Sequence, residues 1–326
     1  MTIKDDLQFA FSSLFHDENQ KTSPLDNFPH NRPLLAHYTS ISTLESIVRN
    51  DELWLSNPLY MNDLEELKFG LDEGLQAFLI HQGVKEACGS DERYTKLKEI
   101  FHYYYNRFNN EHAFDIYVFC LSEHNPELSD GLLSMWRGYG SNGNGAAIIF
   151  DSSKINFIQE SPFIISKVEY ASTEERLKWI DAKLTHFAGI LKCRNVPDEL
   201  LYIATYMIFE RIKVYSIFTK HRGFSEEREW RVAYLRERDE QGLLSDMLHY
   251  SIGNNGIEPK LKLKISPVEG LTDSDFSLDK IVKQIILGPT VSSPLAITSV
   301  KRMLDTVGKQ GISERLSAST TPFRSG

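Results

Sequence analysis

The sequence predicts one mixed α+β domain, because stretches of helical periodicity alternate with short apolar runs of strand length. Apolar side chains recur at helical spacing over 64–81 and 92–112. The segments 116–121 and 145–150 are instead apolar without interruption, which is typical of central strands buried on both faces. The core begins as a strand, a helix and a strand within residues 34–56. We therefore expect a mixed sheet with flanking helices.

The other elements follow from the same two periodicities. Ser42 and Glu45 have the spacing of a capping box, which predicts that the first core helix begins there. Prolines break the chain after an N-terminal helix over 3–15, so we expect residues 1–32 to be an appended helix and loop and residues 33–326 to form one α+β domain of catalytic type. Further helices are predicted over 174–193, 198–218 and 294–308, and further strands over 163–170, 230–235, 260–265, 281–287 and 312–319.

Composition limits the classes of function. The 36 basic and 45 acidic residues give a formal charge of -9, which disfavours attraction of nucleic acid or an anionic membrane to the whole surface. No apolar run reaches the length of a membrane span, and the N-terminus lacks the pattern of a secretory signal, so we expect a cytoplasmic protein without a membrane partner. Cys88, Cys120 and Cys193 are too far apart for a zinc site.

Two polar clusters follow the first two core strands. His37, Tyr38 and Thr39 lie where a strand gives way to a helix, whose free N–H groups favour polar ligands. A histidine there is also compatible with an ordinary satisfied core residue. After the second strand, Asp63 is placed to cap the next helix, which leaves Tyr60 and Asn62 unexplained. We interpret Asn62 as a candidate for holding the polar edge of a ligand.

A third cluster combines aromatic rings, a cation and glycines. Trp136, Arg137 and Tyr139 precede and interleave with a glycine-rich stretch that ends at Gly145. Glycines permit tight turns and close approach to a ligand, while the rings and the guanidinium suit a planar or anionic group. The pattern resembles a nucleotide cradle, although a packed aromatic corner before a glycine turn explains it equally well.

The fourth cluster lies at the head of a late strand. In an extended backbone, Glu227, Glu229 and Arg231 share one side, and Arg228 and Trp230 take the other. Two carboxylates and a guanidinium on one face must bind one another or a ligand. A salt-bridged edge strand is the structural alternative.

Together these clusters resemble a family of uncharacterised bacterial proteins catalogued only as a domain of unknown function. The resemblance runs from about residue 34 to 324, and its name implies no activity. Its motifs are His37-Tyr38-Thr39, Leu53-Trp54-Leu55-Ser56 with Asn62-Asp63, Met135-Trp136-x-x-Tyr139 before Gly145-x-x-Ile148-x-Phe150-Asp151, Glu227-x-Glu229-Trp230-Arg231, and Ser319-x-x-Pro322-x-Arg324.

The order of features is also similar to that of ADP-ribosyltransferases, including the DNA-modifying toxins of bacterial toxin-antitoxin pairs. The shared features are a histidine that ends the first strand, a strand-helix-strand unit with aromatic residues, and a late Glu-x-Glu at the head of a strand. That family implies a split, twisted β-core that grips NAD in a bent form. By analogy, His37 would hold the adenosine-side ribose, Tyr38, Trp136 or Tyr139 would stack on nicotinamide, and Glu229 would bind a hydroxyl of the nicotinamide ribose.

The chemistry implied by this resemblance needs a carboxylate. Breaking the bond between ribose and nicotinamide develops positive charge on the sugar, which a fixed carboxylate stabilises. Glu229 is the predicted carboxylate, Glu227 would orient or deprotonate the acceptor, and Arg231 or Arg137 would pair with the pyrophosphate. This arrangement requires His37 and Glu229 to share one cleft. The expected cofactor-binding residues are His37, Tyr38, Thr39, Asn62, Trp136, Arg137, Tyr139 and Arg231.

The resulting hypothesis is an NAD-using ADP-ribosyltransferase-like enzyme, acting as a toxin or phage-defence effector without a metal. Its acceptor would be water, a protein or a nucleic acid, and a toxic activity would need a neutralising partner protein. One alternative is a non-catalytic nucleotide-binding module of a defence or stress system. Another is a metal-dependent nuclease that uses Asp63, Glu227 and Glu229, although these residues lack a recognisable metal spacing.

Overall fold

The computed structural model describes residues 3–15, 28–61, 64–127, 130–156, 161–253 and 256–323, with the backbone alone at 3 and 64–66. The helices are α1 (Ile3–Ser12), α2 (Ile41–Asn50), α3 (Leu64–Ile80), α4 (Gln82–Cys88), α5 (Asp91–Asn110), α6 (Leu133–Gly138), α7 (Thr173–Cys193), α8 (Leu201–Ile217), α9 (Leu278–Ile281), α10 (Pro294–Thr306) and α11 (Gln310–Ser313). The strands are β1 (Leu34–Thr39), β2 (Glu52–Ser56), β3 (Ile116–His124), β4 (Ala146–Asp151), β5 (Phe163–Lys167), β6 (Glu169–Ala171), β7 (Thr219–His221), β8 (Glu229–Leu235), β9 (Leu248–Gly253), β10 (Gly256–Lys264), β11 (Val282–Leu287) and β12 (Leu316–Ala318).

The chain folds into two compact units, which we call the sheet unit and the helical unit. The sheet unit comprises Pro24–Asn57, Tyr117–Val168 and Ser225–Gly326. The helical unit comprises Met1–Ser23, Pro58–Ile116 and Glu169–Phe224. The division of the chain near residue 32 that the sequence suggests stays a prediction.

The sheet unit contains a ten-stranded mixed sheet. Eight of its strands lie in the order β12-β11-β4-β1-β3-β2-β10-β9, and β8 pairs with both β3 and β5. The β11–β12 pair is parallel, whereas β1 runs antiparallel to β3 and β4. The predicted mixed α+β class with a twisted mixed sheet is therefore confirmed.

Strand β3 joins three neighbours at a fork in the sheet. Ala36 of β1 pairs with Ser122, and Ser56 of β2 pairs with Val118. Strands β1 and β2 therefore pair with different ends of β3. Strand β8 also pairs with β3, and the Glu123 N–H donates to the carbonyl of Arg228.

Alternation along these strands gives the sheet two faces. Side chains paired directly across from one another share a face, so Leu35 lies with Glu123 and Ala36 lies with Ser122. The Phe119 face carries the larger core, which includes Leu35, Phe119, Leu121, Ile148, Phe150, Trp230 and Tyr234. The Trp136 face carries a smaller core of Ala36, Tyr38, Met135, Trp136, Ala147, Ile149 and Ile286.

The helical unit is built on α8. This helix packs against α1, α3, α5 and α7, and its apolar side chains Ile208, Phe209 and Ile212 are buried. Polar side chains of α8 are buried as well, among them Glu210 and Arg211. The helical unit also contains the two short parallel strands β6 and β7.

Several element boundaries differ from those predicted. The N-cap of α2 is Ser40, whose hydroxyl accepts from the Thr43 N–H, so the predicted capping box that begins at Ser42 is wrong. The single strand predicted over 163–170 is two strands, β5 and β6, which belong to different sheets. The final predicted strand over 312–319 begins as α11 and becomes extended only at Leu316. Helices α4, α6 and α9 and strands β7 and β9 were not predicted.

None of the helices in the described part of the chain is long and apolar enough to cross a bilayer.

Candidate functional site

Glu229 and Arg231 form a buried ion pair at the head of β8. Arg231 Nε lies 2.7 Å from Glu229 Oε1, and Arg231 Nη2 lies 3.2 Å from Oε2, which makes the contact bidentate. Both side chains are only 5% exposed. The two residues are separated by one position, so a strand places them on the same face, as predicted from their spacing. Because Trp230 packs on the Phe119 face, the pair lies on the Trp136 face.

Glu227 lies just before β8 in a different environment. The Tyr139 hydroxyl donates to Glu227 Oε1 at 2.8 Å, and half of the Tyr139 surface is exposed. The backbone is fixed by Ser122, whose hydroxyl donates to the Glu227 carbonyl at 2.7 Å. Glu227 therefore presents a half-buried carboxylate that is oriented by a phenol at the edge of the Trp136 face.

Arg228 separates the two glutamates by a tight reversal of the backbone. Its φ of 45° lies in the left-handed region, which costs a residue with a Cβ atom about 1–2 kcal/mol. The conformation is held by hydrogen bonds on both sides, from the Arg228 N–H to Ser225 and from the Glu123 N–H to the Arg228 carbonyl. This strained turn sets the different environments of Glu227 and Glu229.

Glu123 is a carboxylate that the sequence analysis did not single out. Lys167 Nζ and Trp230 Nε1 both donate to Glu123 Oε2, at 2.8 and 3.0 Å. Burial by itself would raise the pKa of Glu123, but these two hydrogen bonds outweigh it and hold the pKa below the ordinary value. Lys167 of β5 pairs directly with Trp230 of β8, and this pairing places both donors beside Glu123.

His37 lies at the fork between β1 and β2. Its ring packs on Phe119 at a centroid distance of 4.4 Å, and its Nδ1 lies 3.3 Å from the Cys120 carbonyl. A carbonyl can only accept, so Nδ1 carries the proton in this contact. Burial lowers the pKa of His37 to about 4, and the hydrogen bond to Cys120 opposes this only in part. The neutral imidazole therefore fills the fork on the Phe119 face.

His37 and Glu229 are consequently on opposite faces of the sheet. The sequence pattern predicted that the two side chains share one cleft. The alternation of side chains along the strands overturns that expectation. His37 is two positions from Leu35 and so lies on the same Phe119 face, whereas Glu229 is adjacent to Trp230 of that face and so lies on the opposite one. What the sheet brings together instead is His37 with Phe119 and Glu229 with Arg231.

Tyr38 and Trp136, both proposed to stack on a ligand, pack on each other. Their rings meet edge to face at 4.9 Å, and they are 6% and 0% exposed. The Tyr38 hydroxyl accepts from the Leu132 N–H, and Trp136 Nε1 donates to the Asp130 carbonyl, each at 2.8 Å. Of the three candidate aromatic residues, Tyr139 is therefore the one whose ring reaches solvent.

The glycine-rich stretch forms a tight turn next to this aromatic pair. Ser141, Asn142 and Gly143 all have positive φ. Gly145 lies so close to β1 that a Cβ atom would come within 2.1 Å of the Thr39 carbonyl, which requires glycine there. Thr39 itself is buried, so its side chain belongs to the packing of this turn.

Arg137 and Asn62 complete the predicted set. Arg137 is exposed on α6, and its guanidinium lies 5.9 Å from the centroid of the Phe323 ring. Asn62 lies outside the described residues, as does Asp63. Within the ranges that the structure describes, no group of three or more His, Cys, Asp or Glu side chains could hold a metal ion.

The helical unit has a depression of its own on the surface of α5. It has a volume of about 480 Å³ and is lined by Tyr103, Asn106, Arg107 and Glu111. None of the predicted site residues lines it.

Comparison with known proteins gives one finding. No curated protein and no solved structure matches the chain. Residues 135–232 match a family model, and this segment includes Trp136, Tyr139, Glu227 and the Glu229–Arg231 pair. The family is described as "Protein of unknown function (DUF2971)", so the resemblance to a domain of unknown function is confirmed over that segment.

Proposed function

We propose that the chain cleaves the bond between ribose and nicotinamide in NAD and transfers the ADP-ribose to water or another acceptor. The observation that carries this proposal is the half-buried Glu227 carboxylate, which the Tyr139 hydroxyl orients at 2.8 Å. A fixed carboxylate beside the ribose stabilises the positive charge that develops as this bond breaks.

The geometry supports a different division of roles between the two glutamates from the one expected. Glu229 is bound by Arg231, so its role under this proposal is to hold the head of β8 in position. Glu227 takes the reactive role. The electron pair of the breaking C–N bond leaves with nicotinamide, an acceptor hydroxyl bonds to the ribose carbon, and its proton passes to the Glu227 carboxylate.

Tyr139 and Arg137 are the groups best placed to bind the substrate near Glu227. Both side chains are exposed on or just after α6, and they precede the turn of positive φ at 141–143. A phenol ring can stack on nicotinamide, and a guanidinium can pair with a pyrophosphate. In this proposal His37 supports the fork of the sheet and does not bind ribose.

One alternative function has an observation in its favour. The Glu229 carboxylate already has a guanidinium partner, which suits a site that binds a nucleotide without turnover. Such a module would serve a defence or stress system, and a toxin-like enzyme would need an acceptor and a neutralising partner protein. The enzyme and the binding module would both bind NAD, so a measurement of NAD cleavage distinguishes them.

The experiment is to measure nicotinamide release from NAD by the purified protein and by Glu227→Gln. Glutamine keeps an oxygen that accepts from Tyr139 and removes the negative charge. We expect the rate to fall by about 10²–10³-fold in the variant. A chelator should not change the rate, whereas it would abolish activity of a metal-dependent nuclease. NAD binding without release by the unmodified protein would contradict the proposal and favour the binding module.

A further inference from the structure

Two buried N–H groups in the helical unit have no acceptor. Arg176 is 7% exposed, and both its Nε and the Nε1 of Trp179 are buried without a hydrogen-bond partner among the described residues. An unsatisfied buried donor costs about 1–3 kcal/mol, and more when the donor is charged. Both residues belong to α7 and are three positions apart, so they lie on the same face of the helix.

The flat faces of the Arg176 guanidinium and the Trp179 indole already contact other side chains, so only their N–H edges remain available to bind a ligand. The guanidinium of Arg176 lies 4.3 Å from the centroid of the Phe69 ring. The indole of Trp179 is stacked on Tyr215 at 3.6 Å and 6°, and the guanidinium of Arg211 lies 4.5 Å from its centroid. Stacking uses the π-face of each group and leaves the in-plane donors available.

The nearest carboxylate along the chain is engaged elsewhere. Glu175 accepts from the Ser172 N–H as part of the capping box of α7, and it receives two hydrogen bonds from Arg222 at 2.6 and 2.7 Å. Other cations surround the same indole, because Lys183 lies 5.7 Å from the Trp179 centroid in addition to Arg211. The groups that face the stacked Trp179–Tyr215 pair therefore include the cations Arg176, Lys183 and Arg211 and also the Glu169 carboxylate, which after burial is the next cause of the raised pKa of Tyr215.

We propose that the helical unit binds an oxyanion of the phosphate class on this face of α7, with Arg176 Nε and Trp179 Nε1 as donors. Phosphate oxygens accept strongly from a guanidinium and from neutral N–H groups, and an anion would offset the buried charge of Arg176. Trp179 is half-buried, so part of its side chain reaches solvent although its Nε1 atom is buried. The phosphate would come either from the free ion or from a nucleotide.

The test is thermal unfolding of the full chain in increasing inorganic phosphate, and separately in ADP, with chloride matching the ionic strength. A ligand that binds only the folded state should raise Tm by roughly 2 °C for each tenfold increase above its Kd. Arg176→Met should abolish the rise. Trp179→Phe keeps a ring over Tyr215 and removes the pyrrole ring with its N–H group, so it should reduce the rise without loss of the fold.

Lys178→Met is the matched control, because Lys178 is an exposed cation on the same helix that pairs with Glu174. It should keep the full rise in Tm. A response to both ligands indicates the free ion, and a response to ADP alone indicates a nucleotide. The proposal is overturned if neither ligand raises Tm of the unmodified protein, or if Arg176→Met responds as the unmodified protein does.

Discussion

The two faces of the ten-stranded sheet hold their charged groups in different ways. On the Trp136 face, Glu229 and Arg231 form a bidentate pair in which both side chains are 5% exposed. On the Phe119 face, Glu123 is about one-third exposed and shares a hydrogen-bond network with Lys167 and Trp230. His37 lies on this second face as a neutral imidazole.

This difference shows how three consecutive residues of one motif can take part in two separate hydrogen-bond networks. Glu229, Trp230 and Arg231 are consecutive, yet alternation sends Trp230 to Glu123 on one face and leaves Glu229 with Arg231 on the other. Glu227 precedes the strand and belongs to neither of these two networks, because the left-handed backbone of Arg228 lies between Glu227 and Glu229. Substitutions on the two faces should therefore have separable consequences.

The largest effect on stability is expected from Arg231→Met. The substitution leaves Glu229 as a buried carboxylate without its guanidinium, which costs about 3–5 kcal/mol of the free energy of unfolding. Urea denaturation measures the loss. The double variant Glu229→Gln with Arg231→Met removes both charges and should recover much of it. A loss below about 1 kcal/mol in the single variant would mean that the pair does not hold the head of β8.

The next effect concerns His37 and depends on pH. Its folded pKa of about 4 is below the ordinary 6.5, so the unfolded chain takes up the proton first. The contribution of His37 is complete above pH 6.5 and is lost as the pH falls from 6.5 to about 4, a difference of about 3 kcal/mol. His37→Gln keeps a donor for Cys120 and should flatten this part of the stability profile. An unchanged slope in the variant would contradict the assignment of the neutral imidazole to the fork.

Glu123 should give a smaller effect at lower pH. Its folded pKa is depressed, so its contribution is present above the ordinary value of 4.5 and is lost as the pH falls through the folded pKa. Glu123→Gln should therefore reduce the slope of unfolding free energy against pH only below about 4.5, where most of the His37 contribution has already been lost. A change confined to higher pH would show that Glu123 and His37 titrate as one unit.

The smallest effect is expected at Arg228. Glycine adopts a φ of 45° without strain, so Arg228→Gly should raise the free energy of unfolding by about 0.5 kcal/mol after its larger unfolded-state entropy is subtracted. Arg228→Ala keeps the strain and serves as the control. If glycine were less stable than alanine at this position, the turn would not be strained.

Much of the fold was predictable because its signals are local. The continuous apolar runs of β3 and β4 and the periodicity of α3, α5, α7 and α10 identify those elements directly. The break at Val168 was not predictable, because the alternation runs through it and only the pairing of β6 with β7 separates it from β5. Strand β9 has mostly exposed side chains and so lacks an apolar pattern.

The candidate site was predictable only in part. The spacing of Glu229 and Arg231 correctly gave a shared face, since that depends on local geometry alone. The relation between His37 and Glu229 depends on which face each strand turns to the core, and a single sequence does not specify this. The missed Glu123 likewise depends on pairing with β8, which lies more than 100 residues further along the chain.

The central claim is that the reactive carboxylate is Glu227 on the Trp136 side of the sheet. The most direct test compares nicotinamide release from NAD by Glu227→Gln and Glu123→Gln at pH 7, with equal fractions of folded protein confirmed by circular dichroism. The two variants carry the same substitution in different surroundings. We predict a loss of about 10²-fold or more for Glu227→Gln and little change for Glu123→Gln. Equal rates in the two variants, or a larger loss in Glu123→Gln, would contradict the account.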